Sequence, residues 1–182
     1  MIDLLSNRTY TGIGNRDTPQ FYLDAMTKVA ALLEQKQYIL RSGGADGADS
    51  AFYQGVRNKL NCEIYLPWKG FNDLDYQYHI PNEAYRILEN VCPYMDKLTP
   101  AILKLYGRNV LQILGNDLSH PSKFVICYTR DGYIGKGTTS TRTGGTKIAI
   151  DLACLYNVPV FNLKITEHYN RIANFFNGDN VN

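Results

Sequence analysis

The 182-residue sequence lacks most of the features that mark specialised classes of protein. Its four cysteines, Cys62, Cys92, Cys127 and Cys154, lie far apart with no Cys-x-x-Cys pair, and the three histidines, His79, His120 and His168, are scattered. That spacing excludes a disulfide-stapled scaffold and a local zinc site. No metal and no cofactor is expected. Cys62, Cys127 and Cys154 stand in apolar runs, where a thiol acts as a small hydrophobe. No apolar run approaches membrane-spanning length, and no basic-then-apolar signal opens the sequence, so the expectation is a cytoplasmic protein without a membrane partner. Charge of one sign is not in excess. A net charge of +2 argues against duplex DNA as a partner, although a local basic stripe can hide in a balanced total.

The apolar content of 45% and the charged content of 20% are ordinary for a globular protein. A chain of this length is long enough for one well-buried domain and short for two, which predicts one domain over residues 1–182. The 14 tyrosines read as fillers of amphipathic positions, with a contact surface as the other reading.

The organising stretch is Leu40-Arg41-Ser42-Gly43-Gly44-Ala45-Asp46-Gly47-Ala48-Asp49. A short buried strand at Tyr38, Ile39 and Leu40 precedes it, and Ala48, Ala51, Phe52, Gly55 and Val56 follow at helical spacing. Glycine tolerates positive φ and lets a ligand approach the backbone, while the free N–H groups opening a helix attract anions. The unit therefore reads either as a phosphate cradle or as a plain turn with Asp46 as helix N-cap.

The same strand, glycine turn and helix occur earlier, in residues 9–13, in Gly12-Ile13-Gly14-Asn15-Arg16, and in a helix whose apolar positions are Phe21, Ala25, Val29, Leu32 and Leu33. A third strand over 62–66 completes a β-α-β-α-β alternation, which predicts an α/β, Rossmann-like, doubly wound and mostly parallel sheet with helices on both faces. Residues 82–91 and a run opened by Pro100 read as helices, while Trp68 sits in an ordered loop; Trp68 and Tyr65 read as stacking surface for a base or as packing. The continuously apolar residues 123–129 are the strongest strand. A Gly- and Thr-rich loop over 130–142 follows, which reads as closing over a ligand with the hydroxyls of residues 138–141 or as a plain solvent-exposed connection. Gly135-Lys136-Gly137-Thr138 fails the P-loop pattern. Thr143-Gly144-Gly145-Thr146 then enters a helix, residues 158–163 form the last strand, and a final helix closes the chain. Three glycine turns at carboxyl ends of strands mark one ligand-binding edge.

Thr11-Gly12-Ile13-Gly14-Asn15-Arg16 resembles the Gly-Ser-Arg turn of the DprA/Smf family, with Asn15 in place of the usual serine. The stretch from Leu40 to Asp49 is similar to that family's Ser-Gly-x-Ala-x-Gly-x-Asp signature, and Arg142-Thr143-Gly144-Gly145-Thr146 with Pro159-Val160-Phe161-Asn162-Leu163 resembles the closing unit of the wider SLOG superfamily. The likeness covers residues 9–66 and 123–163 and leaves 67–122 as a partly helical insertion. It is that of a small stand-alone, phage-type member.

The resemblance implies different activities by branch. One branch binds single-stranded DNA and loads a recombinase, the LOG branch hydrolyses nucleotide N-glycosidic bonds, and others sense nucleotide-derived messengers in anti-phage immunity. Ala149 stands where the LOG glutamate is required, and Asp151 lies about 200° further around the helix, which argues against an enzyme. Asp46 or Asp49 keeps hydrolysis as a minority reading. The leading expectation is a homo-oligomer that binds a nucleotide-derived small molecule, ADP-ribose-like or cyclic, and sequesters it; the alternatives are single-stranded DNA binding and N-glycosidase activity. The expected ligand residues are Gly14, Asn15, Arg16, Arg41, Ser42, Gly43, Gly44, Ala45, Asp46, Asp49, Tyr128, Arg130, Arg142, Thr143, Gly144, Gly145 and Thr146. Asp49 reads either as an acceptor for ribose hydroxyls or as a carboxylate serving the first helical turn, and Arg41 as a phosphate ligand or a solvated arginine.

Overall fold

The computed structural model describes residues 8–76, 79–135, 138 and 144–177. Its elements run β1 (Thr9–Gly14), α1 (Gln20–Gln35), β2 (Ile39–Ser42), α2 (Ala48–Gly55), β3 (Cys62–Ile64), α3 (Asn82–Leu88), α4 (Pro100–Leu114), β4 (Val125–Tyr128), α5 (Thr146–Leu155), β5 (Val160–Asn162) and α6 (Thr166–Asn177). The strands pair in parallel in the order β3-β2-β1-β4-β5. This is the Rossmann-like α/β arrangement that the alternating pattern predicts. Winding reverses at β1, so the carboxyl ends of β1 and β4 open the crevice where such sheets take ligands.

Both faces of the sheet are covered, which is why the strands are apolar on both sides. Along β4, Ile126 and Tyr128 join a core with Met26 and Ala30 of α1 and Phe52 of α2, while Val125 and Cys127 join a second core with Leu111 and Leu114 of α4 and Leu152 of α5. Burial pushes the Cys127 thiol far above its usual range, so this cysteine is inert filling. No helix among the described residues is long and apolar enough to cross a membrane.

Two local expectations are corrected. Phe21 was expected inside, yet it is 63% exposed and the buried face of α1 is Met26, Val29, Ala30 and Leu33. Eight residues turn a helix 80° past a whole number of turns, roughly, so Phe21 does not share the direction of Val29. Asp46 does not cap α2. The N-cap is Gly47 at φ 80°, where the carbonyl oxygen of Arg16 lies 2.2 Å from the place a Cβ would occupy. The Asp46 carboxylate instead accepts from Asn72 Nδ2 at 3.5 Å.

Residues 67–122, expected as an insertion, supply α3 and α4. Thr99 starts α4 by accepting the Ile102 N–H at 3.4 Å, with Pro100 in the first turn. From Gly107 to Leu114 every residue of α4 is buried. Trp68 is 42% exposed and meets Phe71 edge-on at 5.2 Å, while Tyr65 is fully buried with its hydroxyl donating to Glu63. Because α4 is core rather than appendage, Leu111→Ala is expected to cost about 2–5 kcal/mol. Urea unfolding of wild type and variant checks this, as a lower midpoint at unchanged slope.

Candidate ligand-binding cleft at the carboxyl edge

Past the end of β1 the pairing with β4 continues for one more residue: the Asn15 N–H donates to the Tyr128 carbonyl at 3.1 Å. This sets Asn15, Arg16 and Asp17 on the lip of a cleft of about 480 Å³. Opposite them, Gly144, Gly145 and Thr146 open α5, where Gly145 offers no side chain as a cap. The Lys147 N–H is taken by the Gly144 carbonyl at 3.2 Å, and the remaining amides of a helix start carry partial positive charge. Ala45 and Asp49 contribute from the central glycine turn, and Ile102, Leu105 and Tyr106 of α4 supply an apolar wall.

The floor is polar and comes from one stretch of α4. The Arg108 guanidinium, only 8% exposed, stands 3.6 Å from the equally buried Asp49 carboxylate. Asp49 also accepts from the Ala45 N–H at 3.3 Å, so it ties down the turn that leads into α2 as well as lining the cleft. Burial pushes its carboxyl above the ordinary range, opposed by Arg108 and by backbone N–H groups, and burial likewise lowers Arg108, opposed by Asp49. The Gln112 amide is satisfied when its oxygen accepts from Arg108 Nη1 (3.1 Å) and from the Gly43 N–H (2.8 Å) and its nitrogen donates to Asn109 Oδ1 (2.9 Å). Asn109 Nδ2 in turn donates to the Gly145 carbonyl at 3.1 Å. One run of α4 side chains thus ties the central turn to the start of α5. A Cβ at Gly43 would lie 1.2 Å from Arg108 Nη1, so any other residue there would displace the Arg108 guanidinium. Two buried polar atoms of the cleft residues, Arg108 Nε and Asn15 Oδ1, have no hydrogen-bond partner among the described residues.

Of the residues expected from sequence, Gly14, Asn15, Arg16, Ala45, Asp49, Gly144, Gly145 and Thr146 line this cleft. Several others do not. Arg41 is a correction: its side chain lies on the α4 side of the sheet, bonded to Glu63 at 2.6 Å and to the His120 carbonyl at 2.5 Å, and it holds the sheet to the chain after α4. Ser42 is fully buried with its hydroxyl donating to the Gly12 carbonyl at 2.6 Å. Gly43 acts from behind the floor, and Gly44, at φ 66°, turns toward Ile64, Leu66 and Leu74, so the glycine corner itself is packed and the chain meets the cleft only at Ala45. Asp46 stands outside, with Asn72. Tyr128 packs on Tyr22 with ring centroids 4.5 Å apart, and Arg130 pairs with Asp17. Arg142 and Thr143 lie outside the described residues, as do 139–141 of the Gly- and Thr-rich loop.

Sequence reasoning left Arg108, Asn109 and Gln112 without a role. The signal was a polar triplet on a helix whose other late positions are apolar. Ala149 does line the cleft, whereas Asp151 faces away, accepting from the Tyr133 hydroxyl at 2.5 Å and pairing with Lys147. Among the described residues no group of His, Cys, Asp or Glu is arranged to hold a metal ion.

Fold and cleft together define a Rossmann-like α/β protein with a crevice at the switch point of its sheet, lined by Arg16 and the start of α5. No family model matches the sequence, and no curated protein matches it. The chain is similar in structure to DNA processing protein A from Helicobacter pylori, a protein described by its single-stranded DNA binding mode: TM-score 0.58, 20% identity, covering 97% of this chain and 82% of that one. At that identity the likeness shows a shared fold.

Removing one partner of a buried ion pair leaves the other charge stranded. Arg108→Met is therefore expected to cost about 3–5 kcal/mol, and the double variant Asp49→Asn/Arg108→Met less than the sum of the single changes. A double-mutant cycle by urea denaturation measures the difference.

Proposed function

We propose that the chain binds single-stranded DNA through its phosphates, with one nucleotide unit seated in the cleft. The observation that carries this reading is the cleft's charge arrangement. Arg16, exposed and without a carboxylate partner among the described residues, stands on one lip, and the start of α5, whose N-cap Gly145 supplies no side-chain cap, stands on the other. An arginine and a helix start that line one cleft suit a phosphate. Apolar Ile13, Leu105 and Ala149 beside them suit the face of a sugar or base. The shared fold with a protein described by its single-stranded DNA binding supports the macromolecular ligand over a free one.

A second reading is a free nucleotide-derived molecule, ADP-ribose-like or cyclic, held and so withdrawn from use as a signal. The cleft's volume of about 480 Å³ favours it, since that is the size of a small-molecule site. The modest net charge of +2 points the same way.

Binding of labelled oligothymidine followed by anisotropy over a salt series tests the first reading. Affinity is expected to fall steeply with salt, and Arg16→Ala is expected to flatten the log–log slope by about 0.7, the share of one phosphate contact on a single strand. Oligothymidine that fails to bind at low salt, with calorimetric heat from ADP-ribose or a cyclic dinucleotide, would replace the first reading by the second.

A further inference from the structure

The carboxyl edge carries more than the cleft. Three adjacent strands, β1, β4 and β5, end at Gly14, Tyr128 and Asn162. Two residues beyond each end stands a cation: Arg16, Arg130 and Lys164, all exposed. Neighbouring strands lie about 4.8 Å apart, so the three backbone positions form a row that begins at the cleft lip and leads away from it over β4 and β5. The row is continuous in space. Asp17, which lines the cleft, pairs with Arg130, and the Gly132 turn after Arg130 lies against Lys164 and Ile165. Arg16 and Lys164 have no carboxylate partner among the described residues. The Arg130–Asp17 pair is half exposed on both sides, so it adds little stability and a phosphate can compete for the guanidinium.

Beside this row lies an aromatic surface. Helices α1 and α6 both begin at the same edge, and their first turns bring Phe21 and Tyr169 together, ring centroids 5.6 Å apart and planes 23° from parallel. Tyr22 meets Tyr169 edge-on and packs on Tyr128 at the end of β4, which connects the stack to the sheet. Phe21 is 63% exposed, a large apolar ring held flat on a neighbour with its outer side in solvent. Burial does not explain a phenylalanine there.

We infer that single-stranded DNA leaving the cleft runs across this edge, its phosphates on Arg130 and Lys164 and a base stacked on Phe21. This rests on the DNA reading of the cleft and adds to it a second contact site and a direction for the strand. A row of cations beside a stacking ring is the combination that binds single strands without reading sequence.

Strand length separates the two contacts. Phe21→Ala, Phe21→Trp and Lys164→Ala are compared with wild type on oligothymidines of 3 and 12 nucleotides, with thermal unfolding confirming that each variant is folded. Phe21→Ala is expected to weaken the 12-mer roughly tenfold, Phe21→Trp to keep it, and Lys164→Ala to flatten its salt slope by about 0.7, all with the 3-mer unchanged. Wild-type protein that binds both lengths, with variants that bind the 12-mer equally well, would overturn the edge path and leave the cleft reading standing. Wild-type protein that binds neither length would remove both.

Discussion

The buried Arg108 guanidinium is the constraint on which the cleft depends. It sits against Gly43 where no Cβ fits, faces Asp49 from the first turn of α2, and shares Gln112 with the Gly43 amide. A charge taken out of water must be compensated by partners in fixed positions, or the site collapses around it. That requirement fixes the spacing between α4 and the central turn. Through Asn109 and the Gly145 carbonyl it also fixes the start of α5. The crevice at the switch point is thus framed by polar geometry from a helix that lies outside the glycine turns themselves.

The alternation of strands and helices was readable in the sequence because each parallel strand is an apolar run and each connection carries a helical stripe. The parallel direction of the strands followed from it. The position of the cleft was readable in part, since glycine turns follow strands at 12–16 and 42–47 and Gly144-Gly145 opens a helix. Individual site residues were harder. Arg41 and Arg16 both stand close to the end of a strand in the sequence, yet Arg41 points to the α4 side, meeting Glu63, while Arg16 lies beyond the pairing and reaches the lip. From sequence alone β2 ends at Leu40, two residues too early, so Arg41, which lies inside the strand, passes for the first residue of the turn.

Arg108, Asn109 and Gln112 were opaque for a different reason. Their partners lie 59 or more positions earlier, or 36 later, in the case of Asp49 and Gly145, and no local period reports such pairing. A cluster of polar residues in the buried end of a helix was the one available sign. It shows that something must satisfy them without showing what. The glycine at position 44 misled in the opposite sense: its positive φ serves the packing of Leu66 and Leu74, and the useful approach to the cleft falls one residue later.

The two outer strands, β3 and β5, are only three residues long. Each offers a foreign strand too few free amides and carbonyls to template an added ladder, a common defence against edge-to-edge aggregation. Edge-to-edge pairing with a second copy of the chain is correspondingly disfavoured at both sides of the sheet.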